Sequence, residues 1–256
     1  MFKEYEKILE HKIAELNRSN NELEEFAYVA SHDMNEPLRK ITTFGQRLQK
    51  ELGATLTEDG VLYLSRMLNA AESMRNLIDN LLQYSRISIN KQAYQTVDLT
   101  EIVNESINDL DILISETGVT ISTEPMPEIE SIPSQMRQLF TNILHNAIKF
   151  RKKDIPLVVK IRQEKLDLAD KKSYNLSVEK EYYLITISDN GIGLEQQYAE
   201  KIFQIFQRLE GKSEYPGTGI GLSICRKIVT NHKGLIFATG APGEGTILSI
   251  ILPKCQ

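Results

Sequence analysis

The sequence predicts an α+β chain of two domains, an N-terminal antiparallel helical hairpin followed by an α/β sandwich. Three observations carry this. Residues 2 to about 50 repeat apolar side chains at helical spacing and meet no glycine before Gly45. A second run of the same period extends from Glu58 to about Ser88. From Val97 onward short β-rich runs alternate with helical ones, the pattern of a mixed α/β domain.

In the first helix Leu9, Ile13, Leu16, Asn20, Leu23, Ala27 and Ala30 recur at alternating spacings of four and three, the a/d seam of a coiled coil. Asn20 falls at an a position, where one polar residue fixes register. Either a partner chain covers this stripe or the helix packs it on its own domain. A break over residues 51–57 ends at Thr57, whose hydroxyl, followed by Glu58 and Asp59, marks a helix start. Val61, Leu64, Leu68, Ala71, Ile78 and Leu82 form the apolar face of that second helix. Two such hairpins make a four-helix bundle as a dimer. Residues 1–90 are thus one expected domain, 91–97 a polar linker and 98–256 the second domain.

Within the second domain, helices are expected over Leu99–Ser115, over Ser134–Phe150 with Ser134 as N-cap, and over Gly221–Asn231. Strands are expected over Val119–Ser122, Leu157–Arg162, Tyr182–Ser188, Leu235–Ala238 and Ile247–Leu252. The charged stretch Gln163–Glu181 reads as a polar loop at a hairpin tip, and Glu195–Arg208 as helix or lid.

Composition narrows the class. With 256 residues, 41% hydrophobic and 25% charged, the chain is neither disordered nor collagen-like. A net charge of −5 does not mark a nucleic-acid or anionic-membrane binder. No run approaches the roughly 18 apolar residues of a membrane span, and the N-terminus is too charged for a secretory signal. The two cysteines, Cys225 and Cys255, fit free thiols in a reducing compartment, so a cytoplasmic location is expected, and they cannot build a zinc site.

Three constellations carry candidate chemistry. His32 is followed by Asp33, and Pro37 comes five residues after the histidine. A proline inside a helix removes a hydrogen bond and bends it. A neutral imidazole is a nucleophile toward phosphorus, and a neighbouring carboxylate can orient it; an exposed His-Asp pair on a helix is also an ordinary surface feature. Asn142, Asn146 and Lys149 share one helix face. Amide oxygens are hard ligands suited to Mg²⁺, and Lys149 with Arg151, Lys152 and Lys153 supplies cations; the alternative is a solvated polar face. Asp189 ends a strand just before Gly191 and Gly193, where a carboxylate can accept the exocyclic N–H of adenine. Gly217, Thr218, Gly219, Gly221 and Leu222 open a helix whose N-terminus attracts anions, though tight turns use the same letters. Gly243-Glu-Gly-Thr246 precedes the last strand.

The order of these pieces resembles the sensor histidine kinases over essentially the whole chain: His-Asp-x₃-Pro, Asn-x₃-Asn, Asp-x-Gly-x-Gly, Phe203 and Phe206, Gly-Thr-Gly-Ile-Gly-Leu, and Gly-x-Gly-Thr. The wording around His32 and around Tyr215 to Leu222 is similar to the phytochrome-type subclass. The resemblance implies a dimerisation and phosphotransfer hairpin joined to a Bergerat-type ATP-binding sandwich. His32 would be the phosphoacceptor and Asp33 its general base. ATP and Mg²⁺ would be the cofactors, with Asn146 on the metal and Asn142 and Lys149 beside it. Asp189 and Thr246 would read adenine, and the glycines at 191, 193, 217, 219 and 221, with Thr218 and Leu222, would shape the pocket and lid. Phe203 and Phe206 would hinge that lid, and Arg208 and Lys212 would be its cations. The implied partners are a second copy of the chain and a response-regulator receiver domain, with an upstream sensor domain expected to be absent from this chain.

Related ATPases with this nucleotide fold carry a glutamate at the position matching Asn142, where it activates water. An amide cannot do so, which implies slow ATP hydrolysis. Many family members carry Thr or Asn where this chain has Glu36, which puts phosphatase activity in doubt. The alternative is a non-catalytic dimeric ATP-binding scaffold. His145, beside Asn146, is expected to be structural, and His11 and His232 carry no assigned chemistry.

Overall fold

The computed structural model describes residues 11, 12, 15, 31, 33–53, 55–89, 93–207 and 218–256, without the side chains of Arg86, Ser88 and Ile89. The expected seam at Leu9, Ile13, Leu16, Asn20, Leu23, Ala27 and Ala30 lies outside the described residues, as do His32, Arg208, Lys212 and Gly217. The chain forms two compact units, Met1–Asn90 and Lys91–Gln256. No helix among the described residues is long and apolar enough to cross a membrane.

In the first unit α1 (residues 33–52) and α2 (Glu58–Ile89) are the described helices. The α2 start follows its capping chemistry, with the Thr57 hydroxyl accepting the Gly60 N–H at 3.2 Å and Glu58 and Asp59 in the first turn. Leu38, Gly45 and Ala71 are buried between the helices. Gly45 is there for space: a Cβ on it would lie 2.6 Å from Leu68 Cδ2. The Asn35 amide reaches across to Asp79 at 3.4 Å. Of the expected α2 face, Leu64, Leu68, Ile78 and Leu82 are half-buried, whereas Val61, in the first turn, is exposed. Ile41, Phe44, Leu48 and Leu52 on α1, with Tyr63, Met67 and Met74 on α2, stay exposed at helical spacing.

The second unit is a five-stranded sheet with helices on one face. Its strands are β2 (Thr120–Thr123), β4 (Val158–Lys165), β5 (Tyr182–Asp189), β6 (Leu235–Ala241) and β7 (Gly245–Pro253). They lie in the order β2-β4-β5-β7-β6, with only the β2–β4 pair parallel. The covering helices are α3 (Leu99–Asn108), α5 (Pro133–Lys149) and α7 (Gly221–Asn231), with the short α4 (Asp111–Thr117) beside α5. Cross-strand rows such as Ile161–Ile187–Leu248–Ala238 face these helices, where Leu99, Met136, Leu139, Phe140, Ile143, Ile224 and Ile228 are buried. Period-two alternation in β4 and β5 supplies that face.

Several sequence expectations need correction. The single helix expected over Leu99–Ser115 is interrupted at Asp109 and Leu110, where the Asp109 carboxylate accepts from Arg137 of α5 at 2.5 and 2.7 Å. Helix α5 begins one residue earlier than expected, with Pro133 in its first turn and Ile132 as N-cap, so Ser134 is inside the helix. Residues 95–97, assigned to the linker, form β1 (Gln95–Asp98), which pairs antiparallel with β3 (Glu128–Ser131) in a separate small sheet. Neither strand is expected from the sequence, because Gln95–Asp98 and Glu128–Ser131 are short and mostly polar and are held by pairing with each other.

The largest correction concerns residues 163–181. Strand β4 runs on to Lys165, and a short helix α6 (Leu168–Ser173), N-capped by Asp167, follows. Leu166, Tyr174, Leu176, Tyr182 and Leu184 then pack with Phe237 and Ile251. Phe237 and Leu184 have the opposite parity to the helix-facing rows. This segment therefore builds a second small core on the other face of the sheet, with the Tyr174 and Phe237 rings stacked at 5.7 Å.

Candidate nucleotide site

Asp189 anchors the site. It is the last residue of β5 and shares the parity of Ile185 and Ile187, so its side chain emerges on the helix side at the end of the sheet. One carboxylate oxygen accepts the N–H of Gly191 at 2.8 Å and of Thr246 at 3.2 Å. Burial pushes its pKa up, and these two backbone donors oppose the shift.

The backbone closes tightly round this carboxylate. Gly245 has φ +97°, and a Cβ there would sit 1.9 Å from the Asp189 carbonyl oxygen. Gly193 has φ +78°, and its Cβ would meet the Ala241 carbonyl oxygen at 1.9 Å. No side chain fits either place. The Gly191 backbone lies against the Phe150 carbonyl, which accepts the Ile192 N–H at 3.0 Å. Asn190 ties the start of β4 to this corner, accepting from Val158 N at 2.8 Å and donating to Pro156 O at 3.0 Å. Lys152 Nζ holds the β6–β7 turn by donating to Gly243 O at 2.5 Å. Lys152 is expected from the sequence only as one cation of a basic patch, and Asn190 and Gly245 only as members of glycine motifs, so these structural roles are new. Adjacency to Asp189 and Thr246 was the available signal for Asn190 and Gly245, and Lys152 acts across 91 residues of sequence, which spacing does not reveal.

Helices α5 and α7 form the other wall. Asn142 donates to the Gly221 carbonyl at 3.3 Å, and a Cβ on Gly221 would lie 3.9 Å from the Asn146 amide nitrogen. The asparagine face of α5 is thereby brought to the N-terminus of α7. Its N-cap, Ile220, has no polar side chain to cap it, and a helix start of this kind attracts anions. Cys225, one turn further on, is fully buried, which pushes its thiol pKa up to about 12 against the hydrogen bond from Asn142. The Lys149 ammonium lies 4.6 Å over the Phe150 ring. His145 points to an exposed side of α5, and partial burial followed by the Lys149 charge lowers its pKa.

Thr218, Gly219 and Leu222 are half-buried at the same helix start. A Cβ on Gly219 would meet Gln207 O at 2.7 Å, so the chain before 208 and after 217 lies together. The stretch from Glu195 is not a regular helix but two short 3₁₀ turns, Gln196–Tyr198 and Lys201–Phe203. The two phenylalanines part company: Phe203 is buried under the Arg226 guanidinium at 4.5 Å, while Phe206 is exposed with φ +63°. In the other unit Asp33 is exposed on α1, and Glu36 pairs with Lys40 at 2.8 Å.

The donor set fits the groups the resemblance implies. Asn146 carries an amide oxygen, a hard ligand of the kind Mg²⁺ takes alongside phosphate oxygens, on a side chain next to the start of α7. A half-buried carboxylate with one oxygen occupied by backbone N–H groups suits a flat heterocycle bearing an amino group.

Comparison with known proteins agrees. Residues 22–89 match the His Kinase A (phospho-acceptor) domain, and residues 131–256 match the histidine kinase-, DNA gyrase B-, and HSP90-like ATPase. The chain is 36% identical over 239 residues to cyanobacterial phytochrome A of Nostoc sp. and 34% identical over 238 residues to the phytochrome-like protein Cph1 of Synechocystis sp.. These alignments cover 93% of this chain in both cases but only 29% and 30% of the relatives, so the chain spans under a third of their length. A crystal structure of full-length ShkA in complex with AMPPNP superposes with a TM-score of 0.64 at 18% identity, covering 90% of this chain and 45% of that one, which shows the shared fold. By its two domains and its relatives the chain belongs to the histidine kinases, as a phospho-acceptor hairpin joined to an ATPase sandwich.

Proposed function

We propose that this protein binds ATP in the second unit, phosphorylates itself on His32, and passes the phosphoryl group to an aspartate of a response-regulator receiver domain. The observation that carries the reading is the Asp189 carboxylate at the end of β5, gripped by the Gly191 and Thr246 N–H groups, in the same unit as the Asn142–Gly221 junction. Residues 1–90 serve as dimerisation and phosphotransfer hairpin and residues 98–256 as the ATP-binding domain.

Asp189 takes the adenine amino group on its second oxygen, and Thr246 lines the same end. The first-turn N–H groups of α7, with Gly217, Thr218, Gly219, Gly221 and Leu222 around them, hold phosphate oxygens. Lys149 adds positive charge. Mg²⁺ bound through Asn146 supplies neutralisation of phosphate charge. One ring nitrogen of His32 attacks the γ-phosphorus in line; the new P–N bond forms as the bond to the ADP oxygen breaks. Asp33 holds the other ring nitrogen's proton, keeping the ring oriented and the attacking lone pair free. Asn142, an amide, is no base for water, so hydrolysis of ATP stays slow. The exposed stripes on α1 and α2 are covered by a second copy in the homodimer. A cytoplasmic location goes with this reading.

Incubation with radiolabelled ATP tests it. An acid-labile, base-stable phosphoprotein that is lost in His32→Ala is the expected result. ATP binding with no label on the ring would reduce the protein to a scaffold. Glu36 makes the protein a poor phosphatase, because a carboxylate cannot donate to the attacking water and repels phosphoaspartate. Rapid phosphate loss from a phosphorylated receiver on adding the protein would refute that part.

A further inference from the structure

His232 is fully buried at the C-terminal end of α7, on the far side from the Gly221 end. Both ring nitrogens are engaged. Nε2 accepts the N–H of Ile132, the N-cap of α5, at 3.1 Å, which places the ring proton on Nδ1, 2.8 Å from the Ile228 carbonyl it donates to. The neighbouring Asn231 amide donates to Gln135 of α5 at 2.9 Å. Tyr94, just upstream of β1, closes the cluster: its hydroxyl donates to the Asn231 carbonyl at 2.8 Å, and its ring meets the imidazole edge-on at 5.3 Å.

Contacts between α5 and α7 run as an antiparallel ladder: Asn142 with Gly221, Leu139 O with Cys225, Gln135 with Asn231, Ile132 with His232. Between the first and the third rung α7 spans about 15 Å at its normal rise. The contacts between them include apolar side chains and a weak thiol donor at 3.8 Å, which resist separation but fix sliding poorly. Directional bonds that bear on how far α7 is advanced along α5 stand at both ends, and one end is the proposed nucleotide wall.

We propose that His232 is a positioning residue for nucleotide binding. With Asn231 and Tyr94 it sets the advance of α7 along α5, and so the spacing between the Gly219–Gly221 anion site and the amides of Asn142 and Asn146. This rests on the ATP-pocket reading above. Leucine at 232 fills similar space but leaves the Ile132 N–H without an acceptor; glutamine can accept from Ile132 and donate to Ile228.

The test uses the 256-residue protein as wild type, His232→Leu, His232→Gln and Tyr94→Phe, at a temperature where circular dichroism shows each folded. Affinity for Mg·ATP is read by calorimetry, and the ATP dependence of phosphohistidine formation by radiolabel. His232→Leu should raise Kd and KM for ATP about tenfold, with the rate at saturating ATP nearly unchanged; His232→Gln should recover most of the loss, and Tyr94→Phe should weaken binding about threefold. A His232→Leu protein that melts earlier yet binds ATP as tightly as wild type overturns the proposal. If that variant does not fold, an unchanged Kd in Tyr94→Phe overturns it equally. Failure of the wild type to bind ATP would instead overturn the pocket reading itself.

Discussion

Asp189 is costly to the fold, and the proposed ATP site needs it. Its pKa is raised by burial above the ordinary 3.8. A carboxyl shifted in that direction stabilises the fold when protonated, below its unfolded pKa, and that contribution is lost as pH rises through the folded value. At neutral pH the ionised side chain is therefore a net cost, eased by Gly191 and Thr246. Asp189→Asn keeps an acceptor for both N–H groups but turns the other atom into a donor facing the adenine amino group. We expect its melting temperature at pH 7 to equal or exceed the wild-type value while ATP binding is lost, as read by thermal melting and calorimetry. Glycine positions give a second comparison at this scale. Gly118 (φ +65°) has nothing near its would-be Cβ, whereas Gly193 (φ +78°) faces a carbonyl oxygen at 1.9 Å. Gly118→Ala should cost about 1 kcal/mol, the left-handed strain alone, and Gly193→Ala clearly more in urea unfolding, because backbone must move. Both residues are glycine in the sequence; only their surroundings separate them.

At the scale of elements, long periodic segments were legible, as was the short β2, while the short polar strands were not. Helix α7 begins and ends where the sequence places it, because Gly221 and the His232-Lys-Gly234 turn bracket an unbroken apolar period. Helix α2 begins at its predicted cap for the same kind of reason. Strands β1 and β3 are short and mostly polar, and they exist because they pair with each other. Segment 163–181 misled because its charges are real but sparse apolar residues, Leu166, Tyr174 and Leu176, suffice to dock it on the sheet. Phe237→Ala removes half of the stacked pair in that second core. It should cost about 2 kcal/mol of stability and leave ATP affinity unchanged, since Phe237 projects from the face opposite to Asp189. Chemical denaturation with parallel nucleotide titration measures both.

For the whole molecule, two compact units with separate cores imply two responses to ligand. On the proposed reading ATP binds in the unit holding Asp189 and Asn146 alone, so saturating Mg·ATP should raise one calorimetric transition and leave that of the hairpin in place. At a hundred times Kd the gain is about 2.7 kcal/mol for that unit. A uniform shift of both transitions, or none, would show that the units do not unfold separately or that the pocket is not in the second unit alone.

The sequence by itself determined the two-domain α+β fold and the family, because helical period, glycine placement and the order of polar motifs are written locally along the chain. It also determined that Asp189 would stand at a strand end and that Asn142 and Asn146 would share a helix face. Only the tertiary structure decided which groups meet. Asn142 with the Gly221 carbonyl, Lys152 with Gly243, and His232 with Ile132 are contacts across 79, 91 and 100 residues. Such pairs depend on how α5, α7 and the sheet pack, and packing is a property of the assembled apolar faces that no single stretch of sequence contains.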